Sequence, residues 1–269
     1  MGAVPEATLI FRQLFDPETS TYSYLLADAR TREAVLIDPV REHLERDTTQ
    51  LRELELRLVY TLETHVHADH VTASGLLRER LRSRIVVGAQ TGVQNADLAL
   101  AGGTGVRLGD HWIEARETPG HTSGCVTWVC AQAGLAFTGD ALLIRGCGRT
   151  DFQQGDARRL FRSVREHIFT LPDETRLHPA HDYQGRMVTT VAEEKRFNPR
   201  LGLGRTEEQF LEIMGALKLA YPRHMDEAVP ANLRSGLAPA SAREPGPTVA
   251  ALVAQAGRQD VELDFGLGI

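Results

Sequence analysis

The part of the sequence best suited to chemistry is a six-residue segment with three histidines and an aspartate, His65-Val66-His67-Ala68-Asp69-His70. It follows the apolar run 58–62, which reads as a strand. Imidazole and carboxylate groups that crowd a strand end most often bind a metal ion together. Side chains two residues apart at such an end point to the same side, so His65 and His67 can converge on one ion. The segment predicts a metal site; the alternative is a solvated polar loop with incidental histidines.

Three later loops offer further ligands of the same kinds. His121 lies at the tip of a turn at 118–122, Asp140 ends a short apolar strand in Gly-Asp, and His181 lies in the loop 177–183. Taken alone, His121 or His181 would more often be a hydrogen-bonded histidine than a ligand. Together, the four loops at strand ends offer five histidines and two aspartates. That combination makes coincidence a poor explanation.

The elements that must position these loops predict a mixed α/β chain. Short apolar runs bounded by Asp-, Pro- and Thr-rich turns predict strands, at 9–15, 22–26, 34–37 and 84–88. Apolar residues at helical spacing, together with capping residues, predict helices, at 43–56, at 76–81, after Asp156, and after a capping box at 206–209.

The order of the candidate ligands resembles that of the metallo-β-lactamase superfamily: H-x-H-x-D-H, then a lone histidine, then Gly-Asp, then a final histidine. The resemblance runs from about Leu9 to about Leu233. It implies an α/β (α+β) fold, a four-layer αββα sandwich with the metal at one edge of its two sheets. The ligand series does not distinguish lactamases, glyoxalase II enzymes, nucleases, flavo-diiron proteins and sulfur oxygenases.

The residues after Asp140 narrow the choice within the superfamily. The run 139–155, Gly-Asp-Ala-Leu-Leu-Ile-Arg-Gly-Cys-Gly-Arg-Thr-Asp-Phe-Gln-Gln-Gly, resembles the persulfide dioxygenases (the ethylmalonic-encephalopathy-protein-like sulfur dioxygenases), as do the runs 179–183 and 229–234. Glyoxalase II shares the Gly-Cys-Gly-basic part, so the Leu-Leu-Ile-Arg before it and the Thr-Asp-Phe-Gln after it carry the distinction. Glyoxalase II also has a larger helical domain after its catalytic core, for which the segment after Asn198 is too short.

The resemblance implies that glutathione persulfide is oxidised by O2 to sulfite and glutathione, as a step of sulfide oxidation, at one Fe(II) per chain. It implies His65, His121 and Asp140 as the catalytic iron ligands. Two imidazoles and one carboxylate on one face of Fe(II) leave positions open for substrate and O2. The remaining candidates are expected beside the iron, orienting its ligands, or around a second metal as in hydrolytic relatives: His67, Asp69, His70 and His181.

Four residues are candidates for binding the substrate: Arg145, Arg149, Tyr183 and Arg234. Glutathione carries two carboxylates, and the planar fork of arginine can bind both oxygens of a carboxylate. The alternative is that Arg145 or Arg149 pairs with Asp151 or Asp182 and only holds the loops together.

Composition excludes several classes of function. The chain has 269 residues, a net charge of −6 and no basic block, so nucleic acid is a poor candidate partner. No apolar stretch approaches the ~20 residues that a membrane span needs. The N-terminal residues show neither a secretory nor a transit pattern, and the three cysteines, Cys125, Cys130 and Cys147, suggest no disulfide framework. The expected location is the cytoplasm.

We expect one catalytic domain at 1–237 and a linker with a C-terminal extension at 238–269, where small residues and prolines accumulate. Besides the persulfide dioxygenase, two other functions remain open. One is a glyoxalase II-type hydroxyacylglutathione hydrolase with a dinuclear metal site. The other is a sandwich that has lost catalysis and binds a partner, against which the complete ligand set argues. The sequence also leaves open the thiol that carries the persulfide and the choice between monomer and homodimer.

Overall fold

The computed structural model describes residues 9–238, whose strands form two mixed six-stranded sheets. The first sheet has its strands in chain order, and the second runs in the order β12-β11-β10-β9-β8-β7. The first sheet consists of β1 Leu9–Asp16, β2 Thr21–Asp28, β3 Glu33–Ile37, β4 Arg57–Leu62, β5 Arg84–Gly88 and β6 Leu98–Leu100. The second consists of β7 Gly105–Leu108, β8 His111–Glu117, β9 Val126–Cys130, β10 Leu135–Gly139, β11 Arg176–Pro179 and β12 Thr189–Thr190. The four strands predicted from apolar runs are confirmed.

The described helices are short, and none is long and apolar enough to cross a membrane. Two predicted start signals are present: Asp156 accepts a hydrogen bond from the Arg159 N–H, and Thr206 and Gln209 form a capping box. The helices are α1 Leu44–Glu53, α2 Ser74–Leu81, α3 Ala157–Ser163, α4 Val191–Phe197, α5 Glu207–Gly215 and α6 Met225–Asn232. A π-helical turn, Val164–Ile168, continues α3.

Three apolar layers show that the chain forms a four-layer αββα sandwich. The inner faces of both sheets bury one cluster that includes Tyr24, Trp128 and Phe137. On the outer face of the first sheet, Leu51 of α1 and Leu77 of α2 lie in one cluster with Leu25, Ala27 and Leu36. On the outer face of the second sheet, α3 and α5 contribute to another: Leu160, Phe210, Ala136 and Leu177. The predicted fold is therefore confirmed.

Parallel pairing brings the ends of four strands to one edge of the sandwich. Strands β3 to β6 are mutually parallel, and β10 pairs in parallel with β11. Functional sites of α/β sheets usually lie beyond the carboxyl ends of such strands. The chain leaves β3 at Asp38, β4 at Glu63, β10 at Asp140 and β11 at Ala180. The loops after β4, β10 and β11 carry all the candidate ligands except His121, which lies in the loop between β8 and β9.

The predicted boundary between residues 237 and 238 falls at the end of the described range, so the division into domains stays a prediction. The predicted extension beyond residue 238 lies outside the described residues.

One histidine near the candidate ligands belongs to the core. His178 on β11 is 3% exposed, and its ring lies 4.9 Å from that of Phe11 and 5.4 Å from those of Tyr24 and Phe137. Neither ring nitrogen has a hydrogen-bond partner among the described residues. Burial, with a smaller contribution from the Arg176 charge, lowers the pKa of His178 to about 4.

We therefore expect His178→Phe to protect the protein against acid. The pKa of His178 is about 4 in the folded protein, against 6.5 for an ordinary solvated histidine, so between these values the unfolded chain takes up a proton that the folded protein does not. The free energy of unfolding then falls as the pH falls from about 6.5 to 4, by at most about 3 kcal/mol. Phenylalanine does not titrate, so the variant lacks this part of the fall in the free energy of unfolding. Urea unfolding at pH 7.5 and pH 4.5 measures it, and an equal pH dependence in both proteins would contradict the prediction.

Candidate metal centre

The structure brings His65, His121 and Asp140 together, each from a different loop. One ligand atom from each residue lies within 4.8 Å of the other two. His121 Nε2 is 3.5 Å from Asp140 Oδ2, and the rings of His65 and His121 meet edge to face with centroids 4.9 Å apart. Two imidazoles and one carboxylate can therefore coordinate a single ion from one side.

Hydrogen bonds leave one particular nitrogen of each of these imidazoles available to a metal. His121 Nδ1 is 2.7 Å from the carbonyl oxygen of Arg149, to which it can only donate. His65 Nδ1 is 3.0 Å from the Thr64 hydroxyl, which itself donates to Asp38 Oδ2 at 2.7 Å. A histidine that donates through one nitrogen presents the lone pair of the other. Burial lowers the pKa of His65 well below its usual range, so this imidazole is neutral, as a metal ligand must be.

The other four predicted residues lie beside this group. His67, Asp69 and His70 form a second set whose candidate ligand atoms lie within 4.8 Å of one another. His70 Nδ1 is 2.9 Å from Asp69 Oδ2. His181 Nε2 lies between two carboxylates, 3.7 Å from Asp69 Oδ2 and 3.8 Å from Asp140 Oδ1. All seven candidate ligands thus form one contiguous cluster.

Unpaired buried atoms indicate that the cluster fits a metal ion. Asp140 Oδ1, His67 Nδ1 and His70 Nε2 are buried without a hydrogen-bond partner among the described residues. A buried polar atom left without a partner costs about 1–3 kcal/mol, and native structures rarely leave several at one place. A cation would satisfy these lone pairs. Imidazole and carboxylate donors suit first-row divalent metals such as iron and zinc.

Two buried carboxylates behind the cluster were missed by the sequence analysis, although Asp38 follows β3 and Glu63 follows β4 directly. Asp38 Oδ1 is 3.1 Å and Glu63 Oε2 3.6 Å from His67 Nε2. Burial alone acts to lower the pKa of His67, but the Asp38 carboxylate raises it well above its usual range. The strand-end signal that identified Asp140 also applies to both of these residues.

The Arg145 guanidinium lies against α4. It forms ion pairs with Glu194 and, at 2.7 Å, with Glu193, and it donates to the Thr189 hydroxyl at 2.9 Å. It also stacks over the Phe197 ring at 5.4 Å. These contacts bind both terminal nitrogens of Arg145 within the protein.

The other three predicted substrate-binding residues differ in how far their groups are already bound. The Arg149 side chain is 16% exposed; it forms a two-point ion pair with Asp151 at 2.6 and 2.7 Å, donates to the carbonyl oxygen of Ala220 at 2.7 Å, and lines a cavity of about 290 Å³. The Tyr183 side chain is exposed, and its ring lies parallel to that of His181 at 6.0 Å. The Arg234 guanidinium makes no hydrogen bond or ion pair with residues 9–238, and its Nε is buried.

Gly148 lies directly against two of the three converging residues. A Cβ at this position would be 2.8 Å from His121 Nδ1 and 2.6 Å from the carbonyl oxygen of Asp140. We expect Gly148→Ala to displace both ligands and to weaken metal binding about 10- to 100-fold, the range seen when residues behind a ligand are changed. Competition with a chelator measures the affinity. Gly146→Ala is the control, because its Cβ would come no closer than 3.8 Å to any neighbour; equal affinity in the two variants would contradict the prediction.

Fold and cluster together define the class of protein. The family model described as the metallo-beta-lactamase superfamily matches residues 16–181. The chain belongs to this superfamily.

Individual relatives show which group within the superfamily the chain resembles. The chain is 53% identical to persulfide dioxygenase ETHE1, mitochondrial, from Homo sapiens, over 86% of this chain and 90% of that protein. The crystal structure of ETHE1 from Myxococcus xanthus matches with a TM-score of 0.81 and 49% identity, over 85% of this chain and all of that one. A hydroxyacylglutathione hydrolase from Cereibacter sphaeroides is 36% identical, over 61% of this chain and 64% of that protein. The predicted resemblance to the persulfide dioxygenases is confirmed.

Proposed function

We propose that the protein is a persulfide dioxygenase, an oxidoreductase that converts glutathione persulfide, O2 and water into glutathione and sulfite in sulfide oxidation. One O2 and one water supply the three oxygens of sulfite, and O2 takes four electrons from the outer sulfur. The observation that carries the proposal is the convergence of His65, His121 and Asp140, in a chain that is 53% identical to an enzyme of this name.

We propose one Fe(II) per chain as the cofactor, held by His65, His121 and Asp140. Two neutral imidazoles and a carboxylate form the facial set typical of non-haem Fe(II) oxygenases. When bound, the iron would supply open coordination positions at which the persulfide sulfur and O2 are held side by side, which lowers the entropic part of the barrier.

The residues of the chain then have separate tasks. The Arg149 carbonyl and the Thr64 hydroxyl fix the orientation of His121 and His65 through their Nδ1 atoms. The predicted neighbours of the iron orient these groups and the substrate: His67, Asp69, His70 and His181. Arg234, whose guanidinium makes no bond within the described residues, is the arginine best placed to bind a carboxylate of glutathione, with Tyr183 offering a phenol and Arg149 lining a cavity of about 290 Å³. Arg145 is a weaker candidate because α4 already binds its guanidinium.

A second candidate function is a hydroxyacylglutathione hydrolase with a dinuclear metal site. The observation in its favour is the second set, His67, Asp69 and His70, whose candidate ligand atoms also lie within 4.8 Å of one another. Two metals there would polarise a thioester carbonyl and generate hydroxide.

Oxygen consumption separates the two candidates. Protein loaded with Fe(II) is given glutathione persulfide, and O2 uptake and sulfite formation are followed together; we expect one sulfite per O2. The same preparation is given S-lactoylglutathione as a test of the hydrolase, and we expect no thioester cleavage. Thioester cleavage without O2 uptake would overturn the proposed function in favour of the hydrolase. Coenzyme A persulfide in place of glutathione persulfide tests the identity of the thiol carrier.

We also propose that the protein works in a reducing compartment, the cytoplasm. Cys125, Cys130 and Cys147 are all free and buried in the structure, which suits such a compartment. The net charge of −6 argues against nucleic acid as a partner, and we propose no membrane partner. Sedimentation analysis would distinguish a monomer from a homodimer.

A further inference from the structure

The metal-binding segment, residues 65–70, has no regular secondary structure. It carries four of the seven candidate ligands. Buried carbonyls in such a segment need donors from elsewhere in the protein. On either side, backbone groups hold the chain: Val126 N–H donates to Thr64 O at 2.8 Å, and Arg41 N–H donates to Val71 O at 2.9 Å.

Two side-chain carboxamides hold the backbone of residues 65–70. Among the described residues, they alone donate hydrogen bonds to the backbone carbonyls of this segment. Gln153 Nε2 donates to Val66 O at 2.8 Å. Asn232 Nδ2 donates to His67 O at 2.9 Å and to His70 O at 2.8 Å. These three carbonyls lie next to or within the residues that carry the ligands, so the two carboxamides fix the peptide groups that direct the imidazoles.

Gln153 belongs to a turn with unusual backbone angles. Gln153 and Gln154 have φ values of 49° and 55°, in the left-handed region that residues other than glycine seldom adopt. In this conformation Gln153 O accepts from Ser123 N–H at 3.4 Å, two residues after His121. The turn therefore connects the loop of His65 with the loop of His121. Conformations of this kind persist where the surroundings impose them, and they are common at functional sites.

Asn232 reaches the same segment from the opposite end of the chain. It is the last residue of α6 and is 4% exposed. Its Nδ2 uses both hydrogens on the metal-binding segment, while its Oδ1 accepts from Thr72 N–H at 2.9 Å. α6 lies outside residues 16–181, the part that the superfamily model matches. A side chain from outside the shared core thus fastens the segment that carries the shared ligands.

We infer that Gln153 and Asn232 are positioning residues of the metal centre, whose carboxamides set the affinity and geometry of metal binding by fixing the backbone at 65–70. The inference rests on the proposed metal site at His65, His121 and Asp140. Such sites work only when their groups are held within about 0.5 Å and 10–20° of the productive geometry. Loss of a supporting contact typically costs about 10- to 100-fold in metal affinity.

Two variants of Gln153 test the inference. Gln153→Glu keeps the size of the side chain but places an oxygen where Val66 O needs a donor. Gln153→Gly removes the hydrogen bond to Val66 O and also relaxes the left-handed backbone. We expect both to bind Fe(II) or Zn²⁺ about 10- to 100-fold more weakly in competition with a chelator. We also expect an altered electron paramagnetic resonance spectrum of the nitric oxide complex of the Fe(II) protein. The metal-free glycine variant should melt no lower than the glutamate variant, because backbone strain is relieved.

The matched control is Gln154→Ala, in the same turn and with the same left-handed backbone. Among residues 9–238, the one hydrogen bond of its side chain is accepted from the Ser123 hydroxyl, at 3.0 Å, so we expect metal affinity within twofold of the wild type. Asn232→Asp, which removes both donors, is the second test; where that variant does not fold, the Gln153 variants decide alone.

The outcomes separate this inference from the proposed metal site. Weaker binding and an altered spectrum in the Gln153 variants, with an unchanged Gln154→Ala control, would support it. Wild-type affinity and an unchanged spectrum in Gln153→Glu and Gln153→Gly would overturn it and leave the metal site standing. A wild-type protein that binds neither Fe(II) nor Zn²⁺ would overturn the metal site and this inference with it.

Discussion

The His121→Ala variant is expected to lose oxygen uptake with glutathione persulfide and to retain no stoichiometric Fe(II). His121 supplies one of only three groups in the converging set, and its Nδ1 is already bound to the Arg149 carbonyl, so its Nε2 is the atom left for the metal. Loss of a ligand should exceed the roughly 10- to 100-fold loss in affinity that follows from changes behind a ligand. Iron content by elemental analysis and O2 uptake with an electrode measure the two effects.

The control for this variant is His178→Phe, which removes a buried histidine that lies among aromatic rings and not in the metal cluster. We expect it to retain iron and O2 uptake at pH 7.5. Full iron occupancy in His121→Ala would show that His121 is not a ligand and would move the metal to the second set, His67, Asp69 and His70. Iron loss in both variants would mean that the effect is one of folding.

The Arg145→Ala variant is expected to lose about 3–5 kcal/mol of the free energy of unfolding, the cost of breaking one side of a buried ion pair. Its partner Glu194 is fully buried. Without the guanidinium, the donors left to this carboxylate among residues 9–238 are the Thr189 hydroxyl, the Asn198 amide and the backbone N–H of residue 145. Substrate affinity should change little, because the guanidinium lies against α4. Urea unfolding and the KM for glutathione persulfide measure the two quantities.

Arg149→Ala is the comparison, four residues further along the same loop. Its partner Asp151 has a side chain that is 56% exposed, so the variant leaves no buried carboxylate without its partner. We expect Arg149→Ala to lose less of the free energy of unfolding than Arg145→Ala and to show a raised KM. A raised KM with unchanged stability in Arg145→Ala would instead place Arg145 at the substrate, as the sequence analysis predicted.

Many elements of the fold and the residues of the ligand cluster could be predicted from local patterns in the sequence. The capping box at Thr206 and the cap at Asp156 are short-range signals, and the structure has both. The ligand series was readable because each ligand follows a strand that is recognisable by its apolar residues. The resemblance then supplied the four-layer arrangement with the metal at one edge of the two sheets, which no local pattern contains.

Contacts between distant residues could not be predicted in this way. The pairing of Arg145 with Glu194 joins residues 49 positions apart, and Asn232 contacts His67 across 165 positions. The sequence shows an arginine after a metal ligand and an asparagine near the end of a helix, and each has many alternative partners. Only the packing of α4 and α6 decides which partner each side chain meets. The left-handed angles of Gln153 were equally unpredictable, because glutamine carries no local preference for them.

The position of Asn232 has a consequence for synthesis on the ribosome. His65, His121 and Asp140 emerge early, and the strands before and after them can pair as soon as they are made. Of the three hydrogen bonds that other described residues donate to the backbone carbonyls of 65–70, however, two form only when α6 docks, and Asn232 is made 165 residues after His67. A nascent protein would therefore hold its metal weakly until α6 has emerged, and tight capture of the ion would signal that the whole sandwich has been made.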